Sequence, residues 1–113
     1  MDPDTFLPLS EVSFYILLSL ASSSKHGYGI WKDVETLSNQ SLKLSTSTLY
    51  DALERMLQQG LILRVEEEGE QNSGRVRKFY RINELGRKVL AIDMSRMQRL
   101  LDLSTARLQE IKR

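Results

Sequence analysis

Apolar residues in the middle of the chain recur at the spacing of an amphipathic helix. Five of them follow one another at i, i+3, i+4, i+7 and i+8: Leu49, Ala52, Leu53, Met56 and Leu57. The helix should begin near Ser45, and Gly60 stands where a left-handed C-terminal cap is needed. Four hydroxyl residues in a row, 45–48, open this helix. Their small polar side chains suit contact with the DNA major groove, and they also suit capping of the free N–H groups.

Two further helices are predicted before it. Ser10 can cap a first helix, which should end at the serine cluster 22–24. Residues 25–29 lead into a second helix, which should run through about Leu37. Residues 42–44 are extended enough in character to form a short strand between the second and third helices.

Two runs rich in β-forming residues follow the third helix, at 61–66 and 75–82, with a polar loop between them. The second run is crowded with positive charge, which suits contact with phosphates. A helix followed by a basic hairpin is the layout of a winged helix-turn-helix. We therefore predict a mainly α fold with a small β-wing.

The last predicted helix begins after Asn83, which can cap it, and runs nearly to the C-terminus. A stripe along it repeats at alternating spacings of four and three: Leu90, Met94, Met97, Leu101, Ser104, Leu108 and Ile111. At ~1.5 Å per residue the helix is roughly 40 Å long, too long for the head to cover. We expect a homodimer whose interface contains Leu90, Met94, Met97, Leu101, Leu108 and Ile111. Residues 1–82 would then be the winged helix-turn-helix domain and 83–113 the dimerisation helix.

Composition is that of an ordinary globular domain, with 113 residues of which 41% are hydrophobic and 27% charged. The absence of cysteine excludes disulfides and thiolate metal sites. The longest apolar run near the N-terminus, 14–21, is too short to span a bilayer and follows acidic rather than basic residues. We expect a cytoplasmic protein with no membrane association.

Positive charge is concentrated late in the chain, although the net charge is only +1. Residues 1–60 carry four Lys/Arg and seven Asp/Glu, residues 61–82 carry five and four, and residues 83–113 carry seven and four. A local basic face matters more for phosphate contact than the sum does.

Enzymatic chemistry has little support in the sequence. There is one histidine, no cysteine and no glycine-rich phosphate loop. No metal cluster or histidine-based triad can be assembled around His26. We expect neither catalysis nor a cofactor.

Several segments in this order resemble the PadR family of bacterial transcriptional regulators. They are 14–20 (FYILLSL), 26–30 (HGYGI), 47–53 (STLYDAL), 60–62 (GLI) and 77–82 (RKFYRI), with Gly86 after them. The resemblance spans about residues 10–90 and points to the short branch of the family, in which one C-terminal helix makes the dimer. It implies a homodimer that binds a pseudo-palindromic operator in double-stranded DNA and usually represses a neighbouring gene.

The resemblance also implies roles for individual residues. The recognition-helix motif falls on Ser47, Thr48 and Tyr50, the phosphate-contacting motif of the second helix on His26 and Tyr28, and the wing on Arg77 and Lys78. The full candidate DNA-binding set is His26, Tyr28, Thr46, Ser47, Thr48, Tyr50, Arg75, Arg77 and Lys78.

One departure from the family concerns ligands. Multidrug-sensing members carry a tryptophan in the last helix that stacks on flat drugs, whereas residues 83–113 here contain no aromatic residue. Met94 and Met97 occupy the stripe instead, and methionines line adaptable pockets. A small-molecule effector at the dimer interface is therefore a second hypothesis, against the simpler interpretation of both methionines as core.

Simpler interpretations stand beside the DNA-contact roles. His26 suits a helix cap as well as a phosphate contact. The basic strand can pair with the acidic residues 66–68 and 70 across the hairpin, unless strand twist sends the two charge sets to different faces. If the acidic residues instead offset the basic strand, a winged-helix module that binds only proteins is the alternative to a DNA-binding regulator.

Overall fold

The structure, a computed structural model, describes residues 2–68 and 76–111. A short 3-10 turn, Pro3–Phe6, precedes all other elements. They follow in the order α1 (Glu11–Ser22), β1 (Lys25–His26), α2 (Gly27–Leu37), α3 (Thr46–Gln59), β2 (Ile62–Glu68), β3 (Val76–Ile82) and α4 (Glu84–Ile111). The predicted fold class is confirmed: three helices and a small antiparallel wing form a head, and one long helix follows it. None of the helices in the described part of the chain is long and apolar enough to cross a membrane.

Serine caps and a glycine with positive φ place the ends of the helices. The Ser10 hydroxyl accepts a hydrogen bond from the Ser13 amide at 3.1 Å, and the Ser45 hydroxyl accepts one from the Thr48 amide at 3.1 Å. Each such cap contributes about 1 kcal/mol. Gly60 ends α3 with a φ of 76°, in the left-handed region that glycine adopts without strain. These predicted boundaries are confirmed.

The sheet has the strand order β1–β3–β2, with both pairs antiparallel. Its third strand is Lys25–His26, which pairs with Tyr80 and Phe79. The strand predicted at residues 42–44 was wrong, because this stretch is an irregular connection into α3. The indole N–H of Trp31 fixes that connection by donating to the Leu44 carbonyl oxygen at 2.7 Å.

The core lies between α1, α2, α3, the root of the sheet and the start of α4. Its largest fully buried apolar side chains are Ile16, Leu17, Leu20, Ile30, Val34, Leu49, Leu53, Met56, Leu61, Ile62 and Val89. Leu90 is also in this core and only 5% exposed. The prediction that placed Leu90 in the dimer stripe needs correction on this point, because the first turns of α4 pack against the head of the same chain.

Asn83 joins the end of α3 and the wing to the start of α4. Its side-chain amide donates to the Gly60 carbonyl oxygen, and its side-chain oxygen accepts from the Gly86 amide at 2.8 Å. Its backbone N–H donates to the Leu61 carbonyl oxygen at 3.2 Å. Gly86 lies so close to Leu61 that a β-carbon on Gly86 would collide with that same carbonyl oxygen. The cap predicted at Asn83 is therefore confirmed, and it also ties three elements together.

Candidate nucleic-acid interface

The four hydroxyl residues at the start of α3 are all exposed and differ in their hydrogen bonds to Ser45, whose hydroxyl lies 3.3 Å from that of Ser47. Ser45 is the cap, and its hydroxyl donates to the Thr48 side-chain oxygen at 2.8 Å as well as accepting from the Thr48 amide. Thr48 is therefore engaged within the helix end. Thr46 and Ser47 are exposed, and the buried face of the helix begins at Leu49. The structure thus brings Thr46 and Ser47 to the solvent side of α3, where they can contact a partner.

Two tyrosines flank the start of α3 from different helices. Tyr28, in the first turn of α2, is 60% exposed, and Tyr50, in the second turn of α3, is 44% exposed. The Tyr50 hydroxyl lies against the backbone of Gly27. The two exposed rings therefore lie on the same side of the head as Thr46 and Ser47.

His26 is the N-cap of α2. Its Nδ1 accepts a hydrogen bond from the Gly29 amide at 3.1 Å, which confirms the cap interpretation. An Nδ1 that accepts carries no proton, so the proton of the neutral ring is on Nε2, which can donate to another group. The ring also contacts the wing, with its centroid 5.6 Å from that of Phe79 in an edge-on arrangement. His26 therefore lies where α2, β1 and β3 meet.

The wing carries acidic and basic residues in direct register. Glu66 pairs with Lys78, and Glu67 pairs with Arg77. Directly opposed residues of an antiparallel pair lie on the same face of the sheet, so strand twist does not separate Glu66 from Lys78. Among the described side chains, Glu66 and Lys78 form no ion pair within 4.0 Å, and Lys78 is exposed.

Two of the three predicted wing contacts are not described in full. For Arg77 the structure gives the backbone position alone, and Arg75 lies outside the described residues. Among the three predicted wing contacts, Lys78 is thus the one whose exposure is known.

Sequence patterns missed two residues that hold this surface together. Arg64 on β2 reaches Glu54 of α3 at 3.4 Å, and its guanidinium lies 5.9 Å from the centroid of the Tyr80 ring. Burial raises the pKa of the Tyr80 hydroxyl above its ordinary value, and the Arg64 charge opposes that shift. The second is Trp31, which holds the entry to α3. Arg64 is 10 positions from Glu54, and Trp31 is 13 positions from Leu44. No periodic spacing in the sequence links the members of either pair.

The far part of α4 exposes an apolar stripe. Met94 is 51% exposed, Met97 39%, Leu101 60% and Leu108 63%. Ile111 is the last residue of the helix, and the structure describes its backbone only. Within the described ranges, His, Asp and Glu side chains nowhere form a group that could hold a metal ion.

Comparison with known proteins gives a consistent assignment. Residues 16–92 match the transcriptional regulator PadR-like family. No functionally curated protein matches the sequence significantly.

Solved structures have the same fold. A PadR family transcription regulator from Clostridium difficile is 26% identical, with a TM-score of 0.72, over 88% of this chain and 99% of that chain. A transcriptional regulator from Clostridium thermocellum is 23% identical, with a TM-score of 0.69, over 84% of this chain and 87% of that chain. Bacillus subtilis PadR, solved in complex with operator DNA, is 21% identical, with a TM-score of 0.63, over 73% of this chain and 45% of that chain.

Proposed function

The chain belongs to the PadR-like family of transcriptional regulators, and we propose that it binds a pseudo-palindromic operator in double-stranded DNA as a homodimer and represses transcription there. One observation carries the proposal: the start of α3 exposes Thr46 and Ser47 while Leu49 and Leu53 anchor its other face in the core. A recognition helix is used in this way, with its N-terminal residues at base edges of the major groove. The solved complex of Bacillus subtilis PadR with operator DNA supports the same class of partner.

Contacts with the DNA backbone would come from residues on α3 and beside it. Tyr28 and Tyr50 are exposed with hydroxyl groups available, and the Nε2 proton of His26 is a second kind of donor. Lys78, with Arg77 and Arg75, would reach the neighbouring phosphates from the wing. Thr48 contributes mainly to the cap, since Ser45 holds both its amide and its hydroxyl.

Dimerisation would use the exposed stripe of α4. Met94, Met97, Leu101 and Leu108 lie on one face of a helix that extends beyond the head. Two such helices would bury each other's stripes, and Ile111 would extend the contact. The domain division follows this arrangement, except that the start of α4 is shared with the head through Val89 and Leu90. An effector that relieves repression would bind between the two stripes, beside the methionines.

Fluorescence anisotropy with labelled duplexes tests DNA binding. The operator would first be selected from random duplexes by the purified protein, and its affinity would then be compared with that of a scrambled duplex across a salt series. Specific binding should exceed scrambled binding by a factor of 10³ or more, on the order typical of such regulators. Affinity should fall steeply with salt, because bound phosphates release counterions.

The wing is tested separately by Arg77→Ala combined with Lys78→Ala. This variant should weaken binding to the selected and scrambled duplexes alike and reduce the salt slope. Unchanged affinity would contradict the role of the wing in binding, but not DNA binding itself.

A protein-interaction module without DNA binding is the competing function. The direct register of Glu66 with Lys78 and Glu67 with Arg77 favours it, because paired charges weaken the attraction of phosphates. Failure to select any duplex at low salt would establish this alternative over the DNA-binding proposal.

A further inference from the structure

An apolar notch interrupts the polar surface at the start of α3. Its volume is about 280 Å³. Six residues line it, three from α2 and three from α3: Gly27, Tyr28, Trp31, Thr46, Leu49 and Tyr50. The surface that it exposes is mainly apolar, so it suits an apolar group rather than a charged one.

The walls of the notch are already in place in the protein without a partner. The ring centroids of Tyr28 and Trp31 lie 5.7 Å apart at an interplanar angle of 42°. The hydrogen bond from Trp31 to the Leu44 carbonyl oxygen fixes the indole against the segment that leads into α3. Gly27 has no side chain, which leaves room for the Tyr50 ring on the other side. A preformed site of this kind orders little on binding and so loses little affinity to entropy.

Duplex DNA presents one alkyl group in its major groove, the C5-methyl group of thymine. We propose that the notch receives the C5-methyl group and the adjoining ring edge of one thymine in each operator half-site. The inference rests on the proposed function, because it requires α3 to enter the major groove. The contact would add a preference for thymine that needs no hydrogen bond. Tyr28, Trp31 and Tyr50 would make this contact, next to the base pairs that Thr46 and Ser47 contact.

Replacement of single thymines by deoxyuridine tests the contact, since uracil lacks only the methyl group. Each thymine of the selected operator would be replaced in turn, and the affinity of the full-length protein measured by anisotropy. One position per half-site should lose about fourfold in affinity, the factor expected for one buried methyl group. Loss at no position would overturn the inference while leaving the proposed function intact. Failure to select any duplex would overturn both.

Variants at Tyr28 assign the sensitive thymine to the notch. Tyr28 is 60% exposed, so its truncation should leave the fold intact. Tyr28→Ala removes one wall, and it should reduce the thymine-to-uracil factor at that position to near one. Tyr28→Phe is the matched control, because it deletes a hydroxyl group but keeps the wall, and it should keep the factor near four. An equal factor in all three proteins would overturn the assignment.

Fluorescence gives a second readout that does not depend on affinity. Trp31 is the only tryptophan of the chain and lines the notch. At saturating DNA the thymine operator should change the Trp31 emission more than the duplex with uracil at the sensitive position. Identical emission with both duplexes would contradict entry of the methyl group.

Discussion

The hydroxyl group of Tyr50 occupies the space beside Gly27 where a β-carbon would lie, so that any side chain on Gly27 would collide with it. The contact joins the first turn of α2 to the exposed face of α3. Gly27 in the motif at 26–30 therefore does more than make the chain flexible. The packing requires glycine at this position, because any side chain would displace the Tyr50 ring.

Gly27→Ala should weaken operator binding by about tenfold, equivalent to ~1.4 kcal/mol, because Tyr50 must turn away from its position beside α3. Gly29→Ala is the matched control in the same helix. Its β-carbon would meet ordinary contacts of 3.5 Å or more, so operator affinity should be kept. Anisotropy with the selected operator measures both. Equal affinities of the two variants would show that the position of Tyr50 does not matter for binding.

Leu101→Lys should convert the proposed homodimer to a monomer, because each protomer would have to bury a charged lysine in the α4 interface. The leucine is 60% exposed in the single chain, so the fold of the head should survive. Leu37→Lys changes an apolar side chain that is 42% exposed but lies on α2, away from the stripe, and it should leave the dimer intact. Sedimentation equilibrium measures the mass of each. A wild-type monomer, or a Leu101→Lys dimer, would refute dimerisation through this face.

Gly86→Ala should destabilise the protein by about 3 kcal/mol, since the new β-carbon has no space between the Leu61 carbonyl oxygen and the Ile82 side chain. Gly60→Ala places a β-carbon in open space but keeps a positive φ, which costs about 1 kcal/mol. Chemical denaturation followed by circular dichroism compares the two free energies of unfolding. The reverse order would mean that α4 can move away from Leu61 at little cost.

Stability should fall at high pH through Tyr80. Burial raises the pKa of its hydroxyl in the folded protein above the unfolded value near 10. The unfolded chain therefore loses this proton first, and the stabilisation present below about pH 10 is lost as the pH rises through the folded pKa. Tyr80→Phe should flatten the decline of the unfolding free energy above about pH 10, whereas Tyr28→Phe, at an exposed position, should not. An unchanged decline in Tyr80→Phe would assign it to other groups.

Local chemistry explains which parts of this fold are predictable from the sequence. The Ser45 cap and the Gly60 turn depend on residues a few positions apart, so the pattern alone places both ends of α3. Strand β1 is different, because Lys25–His26 carries no strand pattern and pairs only because β3 offers it a free edge. Residues 42–44 look more strand-like but have no strand beside them.

Long-range packing explains what the site prediction missed. Leu90 and Met94 are members of the same heptad stripe, and periodicity cannot tell which turn packs on its own head and which is exposed. The placement of opposite charges in the wing depends on the hairpin register, which puts Glu66 opposite Lys78. The notch between α2 and α3 requires Trp31 and Tyr50, 19 positions apart in the numbering, to lie side by side. Such relationships exist only in the folded chain.

Asn83 ties the end of α3 to the start of the long helix that follows the wing. Its side chain holds Gly60 at one end and Gly86 at the other, and its backbone holds Leu61. The C-terminal end of α3 and the first turn of α4 are therefore held together at one residue. A tilt of α4 at this junction would have to break the Asn83 hydrogen bonds or carry the end of α3 with it.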